Sequence, residues 1–71
     1  MPLIIAPTNM KFRIIKVSAD EKIKNHLASL GIVEEGTLEL LSHEASGVII
    51  KVKDSRLALD KDIAARILVS C

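Results

Sequence analysis

The stretch Ser18–Gly36, SADEKIKNHLASLGIVEEG, decides how the rest of the chain has to be arranged. It opens on Ser18 with Glu21 three residues later. That is the spacing of a capping box, in which two side chains satisfy orphan amides at a helix start. Ile23, Leu27 and Leu30 follow at i, i+4 and i+7, one face of a helix, while Lys22, Lys24, Asn25 and Ser29 fall off that stripe. Gly31 comes next, where a helix stops by turning left-handed. Ile32 then stands where such a stop makes its apolar contact, against Leu27. The expectation is an amphipathic helix from about Ala19 to Leu30, terminated by its own residues, with Gly36 closing the turn behind it.

A helix with one apolar face needs another layer to bury it. Lys11–Val17 (KFRIIKV) is rich in β-branched residues and predicts a first strand. Thr37–Leu41 predicts a second, with Leu38 and Leu40 inward and Glu39 outward. Ser42–Gly47 (SHEASG) is polar and reads as a loop. In Val48–Lys53 (VIIKVK), Val48, Ile50 and Val52 share one face; Ile49, Lys51 and Lys53 share the other. Asp54-Ser55 signals a tight turn into a fourth strand, Arg56–Leu59. Asp60 is placed to cap one helical turn through Ala65, and Ile67–Val69 is a last short strand. Leu3–Ile5, cut off by the turn Pro7-Thr8-Asn9, is an edge strand or a tail lying on the core. Five short strands, one helix and one helical turn predict a mostly β fold, a small partly closed barrel. Closure would protect edges that a short open sheet leaves bare.

At 71 residues the chain is one domain, 1–71, and its 49% hydrophobic content supplies the dense core that so short a chain needs. It leaves no room for a deep substrate cleft. A net charge of +1 gives no general attraction for polyanions. The single cysteine, Cys71, excludes an intrachain disulfide. MPLIIAP has neither the basic flank nor the length of a signal peptide or a membrane span, so a cytoplasmic protein is expected. No Ser-His-Asp order, carboxylate pair or glycine-rich phosphate loop is present, which points away from an enzyme. Phe12 is the only aromatic residue. A proline-rich ligand groove or a single-strand nucleic-acid platform needs several.

The candidate metal ligands are His26, His43, Glu44, Glu34, Glu35 and Cys71, and no two stand at a recognised ligand spacing. His26 lies about 60° off the Ile23/Leu27/Leu30 stripe, which suits a rim histidine beside the core. No dedicated metal site and no cofactor is therefore expected.

The order strand, capped helix, LGI, a short turn to Gly, the strand TLELL, a polar loop and the segment GVIIKVKDSRLALDKDIAARILV resembles the FeoA family, the small cytosolic component of bacterial ferrous iron transport. The resemblance runs from about Lys11 onward and is most specific at Leu27–Ile32, Gly36-Thr37 and Arg56–Ile67. It implies an SH3-like five-stranded barrel with a helix inserted after the first strand. It implies a non-enzymatic accessory or regulatory adaptor whose partner is the membrane transporter FeoB, through its cytosolic GTP-binding domain. The chain departs from the family pattern in the turn: Ile32-Val33-Glu34-Glu35 is one residue longer than usual and lacks a Pro before the second glycine.

A protein-contact surface is the functional reading the residues favour. Ile32 and Val33 sit in a turn, Leu41 and Ile49 on the outward sides of their strands, and Glu34 and Glu35 add charge. The expected contact set is Ile32, Val33, Glu34, Glu35 and Ile49. The alternative is a small barrel that binds another protein unrelated to iron, or nucleic acid, using Lys51, Lys53 and Arg56. Asp54, Asp60 and Asp62 lie beside these in the sequence and favour a merely solvated face.

Overall fold

The computed structural model describes residues 1–70. A 3-10 turn, Leu3–Ile5, precedes β1 (Met10–Val17), α1 (Glu21–Ser29), β2 (Thr37–Glu44), β3 (Gly47–Val52), β4 (Ser55–Asp60), α2 (Lys61–Ala65) and β5 (Ile67–Ser70). The five strands form one antiparallel sheet in the order β4-β3-β2-β1-β5.

Period-two alternation drives one face of each strand into the core. Phe12, Ile14, Leu38, Leu40, Val48, Ile50, Val52, Leu59, Ile67 and Val69 are all buried. Two bulges adjust the phase. The β1–β5 register skips Ile15, so the inward position after Ile14 goes to Val17 and Lys16 stays outside. The β2–β3 register skips Leu41 in the same way.

The sheet does not close into the expected barrel. Among the described residues no ladder joins β4 to β5. Instead α2 fills the gap, packing on β3, β4, β5 and the N-terminal turn, with Ala64 fully buried. A helical turn inserted between the two edge strands takes the place of their hydrogen bonds. The outer edge of β5 is covered by the chain's start: Met1 and Val69 exchange two backbone hydrogen bonds of 2.7 Å, and Pro2 bridges Leu68. The N-terminal segment thus lies on the core, burying Leu3 and Ala6.

Other local readings shift. The helix cap is Asp20, not Ser18 with Glu21: the Ile23 amide donates to Asp20 Oδ1 at 2.9 Å and the helix begins at Glu21. Ser18 is held elsewhere, its amide donating to Arg66 O at 2.7 Å, which continues the β1–β5 pairing. The stretch Ser42–Gly47 is not a loop, because β2 runs through Glu44 and only Ala45-Ser46 connect it to β3. Pairing with β3 outweighs the polarity of Ser42, His43 and Glu44, a case of tertiary context deciding strand formation. The hairpin turn after β3 is Lys53-Asp54, with Lys53 at φ 56°, one residue earlier than expected. Gly47 is required by close approach, since a Cβ there would lie 1.9 Å from the Leu59 carbonyl oxygen.

Candidate docking site

The end of α1 is a full Schellman stop. Gly31 N–H donates to Ala28 O at 3.0 Å and Ile32 N–H to Leu27 O at 2.9 Å, with Gly31 at φ 96°. Ile32 is thereby driven into the core beside Leu27, where it is 1% exposed. The chain then turns outward. Val33 is 43% exposed, and Glu34 and Glu35 are exposed.

The turn is clamped to β1. Ile14 and the turn exchange hydrogen bonds, Glu35 N–H to Ile14 O and Ile14 N–H to Gly36 O, both 2.8 Å. Gly36 N–H closes the turn on Val33 O at 3.0 Å. Glu35, not a glycine, takes the left-handed conformation, at φ 70°. Its carboxylate accepts from Arg13 Nη2 at 2.7 Å, the one ion pair among the described residues. A tight hydrogen-bonded turn thus presents Val33 and Glu34 outward on a fixed backbone.

The residues named from sequence do not all meet here. Ile32 supports the turn from below. Ile49 is half-buried and sits opposite Ser42, six residues along β2 from Gly36, roughly 20 Å away at about 3.3 Å per residue. His43 has a structural partner, its Nε2 lying 2.7 Å from Ala6 O, which ties β2 to the N-terminal segment. His26 is exposed on α1, and Glu44 meets the Ser42 hydroxyl at 2.9 Å. Cys71 lies outside the described residues. No three His, Cys, Asp or Glu among the described residues cluster as a metal site.

Two features escaped sequence reasoning. One is a groove of about 370 Å³ between α1 (Ile23, His26, Leu30) and β4–α2 (Ala58, Leu59, Ile63). Leu30, read as part of the buried stripe, is 36% exposed on its wall. The strand pairing that sets β4 opposite α1 is long-range, so no local signal could have revealed it. The other is a shallow hollow of about 230 Å³ on the outer sheet face, lined by Lys11, Thr37, Leu38, Glu39, Lys51 and Lys53. Its residues were visible in the alternation, but the register that assembles them was not.

A small open antiparallel sheet with two short helices, no helix long and apolar enough to cross a membrane, and a clamped exposed turn defines a compact β-domain class. The chain belongs to the FeoA domain family, whose model matches residues 1–71.

Solved structures agree in fold. The crystal structure of an iron uptake regulatory protein, FeoA, is 26% identical with a TM-score of 0.87, over 97% of this chain and 93% of that one. Iron(II) transport protein A from Clostridium thermocellum is 20% identical at the same TM-score of 0.87, over 97% of this chain and 44% of that one. ScaR with bound Zn²⁺ is 18% identical, again with a TM-score of 0.87, over 97% of this chain and 35% of that one. No curated protein matches the chain.

Proposed function

We propose that this chain is a non-enzymatic accessory domain of bacterial ferrous iron uptake that docks on the cytosolic part of a FeoB-type GTP-binding transporter. The observation that carries the reading is the family match along residues 1–71. The 26%-identical structure, described as an iron uptake regulatory protein, supports it. The clamped turn supplies the physical means. Val33, Glu34 and Glu35 are exposed on a backbone already ordered by five hydrogen bonds made by Gly31 through Gly36, so docking orders little new chain. The carboxylates would set partner choice more than affinity. Regulation would follow from differential binding: the domain shifts the transporter only if it prefers one of its nucleotide or conformational states.

The test is titration of the isotope-labelled chain with the transporter's cytosolic domain, with a GTP analogue, with GDP and without nucleotide. Shift changes are expected at Val33 through Gly36 and the adjoining Arg13. Failure to bind the full-length transporter in any state would remove the adaptor reading. Binding that maps to Ser42–Ser46 or to the α1–α2 groove would keep the function and relocate the site.

A further inference from the structure

The cross-strand register builds one row across four strands: Arg56 on β4 faces Lys51 on β3, Lys51 faces Glu39 on β2, and Glu39 faces Lys11 on β1. Facing residues in antiparallel strands share a side of the sheet. Here it is the outer side, since the buried residues of these strands alternate with the row. Lys53 in the β3–β4 turn extends the row at one corner. Lys11, Lys51, Lys53 and Arg56 are exposed, and none of them forms an ion pair among the described residues, although Glu39 stands directly between Lys11 and Lys51.

In sequence, Asp60 and Asp62 stand close enough to neutralise this cluster. The fold removes them. Asp60 pairs with Gly47, at the opposite end of the β3–β4 hairpin from Lys53, about 13 Å along the strand from Arg56. There its carboxylate caps α2, accepting from Ile63 N–H at 2.8 Å. Asp62 lies beyond it in α2. Glu39 and Asp54 remain beside these four cations; Glu35, close to Thr37 in the chain, is engaged by Arg13 at 2.7 Å, and the hollow of about 230 Å³ lies among Lys11, Lys51 and Lys53.

We propose that this outer sheet face, centred on Lys11, Glu39 and Lys51 and adjoining the Val33–Glu35 turn at Thr37, is a second docking surface for an extended acidic segment of a partner protein with carboxylates at alternate positions. The spacing selects that shape. Lys51 near the end of β3 and Lys53 in the turn just beyond it both line the hollow, so an extended chain running beside them can set alternate carboxylates against the two ammonium groups. Lys11 stands two strands away, about 9.6 Å, on the far wall of the hollow. The face has no aromatic residue for stacking bases. Glu39 at its centre interrupts the continuous cationic track that a phosphate backbone needs. The exposed large apolar residues, Met1, Ile5, Met10, Ile15, Leu30 and Val33, stand outside the row, so it lacks the apolar anchors of a membrane-surface site.

The test uses the full chain and a capped eight-residue peptide of alternating Glu and Thr, followed by NMR titration in low salt. Binding is expected with shifts at Lys11, Thr37, Glu39, Lys51 and Arg56. The double variant K51E/K53E should weaken it on the order of tenfold or more, and E39Q should tighten it about threefold, since a like charge is removed. Both variants change exposed or half-exposed side chains, and unchanged circular dichroism would show that they fold. A peptide with its four Glu residues in one block should bind several-fold more weakly than the alternating one. The proposal is overturned by no binding, by shifts that map elsewhere, by indifference to the block arrangement, or by E39Q leaving affinity unchanged. It is equally overturned if oligo(dT) or phosphatidylserine vesicles bind this face more tightly than the peptide.

Discussion

The helices α1 and α2 start with the same local grammar and end in different relations to the core. Each is capped by an aspartate in extended conformation, Asp20 at φ −71° and Asp60 at φ −73°, whose carboxylate accepts from the amide of an isoleucine three residues on. Each stops with a residue near φ −92° to −94°, Leu30 or Arg66. Yet the five-residue α2 is wedged among β3, β4, β5 and the N-terminal turn, while the nine-residue α1 reaches the core from one side, through Leu27 and Ile23. Helix α1 buries only Leu27 fully; Ile23 packs against the core at partial burial, and with Leu30 it lines the open groove that faces Ala58 and Leu59. The cap decides that a helix forms. The chain entering and leaving it decides how firmly it is held: α2 links two edge strands of the sheet, whereas α1 hangs between β1 and a turn.

A matched pair of substitutions would separate the two helices most sharply. Ala64→Asp in α2 puts a carboxylate in a fully buried site with no polar partner, and should cost more than about 3 kcal/mol, enough to unfold much of the population of a marginal domain. Ala28→Asp in α1 changes an exposed site and should cost within about 1 kcal/mol. Urea denaturation of both variants measures the contrast, and equal losses would erase it. Leu27→Ala comes next. The side chain is 3% exposed, so about 2–5 kcal/mol is expected in the same assay. A loss well under 1 kcal/mol would mean that α1 is not docked at all.

Removing the caps probes local against global holding. Asp20→Ala and Asp60→Ala should each remove roughly 0.5–2 kcal/mol of helix stability. For Asp60 that loss should appear in global unfolding, because α2 fills the gap in the sheet. For Asp20 it should appear mainly as faster hydrogen exchange of the α1 amides, with little change in the global transition. The smallest effect is at the turn. Arg13→Ala breaks the Arg13–Glu35 pair, but its side chains are 58% and 78% exposed, and the expected change is about 0.5 kcal/mol or less. A larger loss would show that the ion pair, rather than the Ile14 backbone bonds, holds the turn.

Much of the strand pattern was legible because it depends on neighbours along the chain. Alternating burial in Val48–Val52, the Gly31 stop with Ile32 packed behind it, and the Asp60 cap are all contacts within a few residues, or follow from a period of two. The Ser18/Glu21 box failed for a reason also local in form but not in cause. Asp20 offered a competing cap, and pairing of Ser18 with Arg66, 48 residues away, removed the rival. At the candidate turn, the sequence marked Val33, Glu34 and Glu35 correctly as a turn but could not separate them from Ile32, whose burial depends on where the Schellman stop aims it, nor from Ile49, whose distance depends on β2–β3 register.

The residue order alone therefore determined the Gly31 stop of α1, the Asp60 cap of α2, the turn at Val33–Glu35 and the alternation of Val48–Val52. These are set by sterics and hydrogen bonds reaching about four residues. Only the tertiary structure decided that the sheet stays open with α2 in the gap, that a groove runs between α1 and β4, and that Lys11, Lys51 and Arg56 form one row while Asp60 leaves it. Those outcomes rest on strand register and on which element wins the last apolar gap. Both are settled by packing among residues far apart in the chain, where no local preference acts.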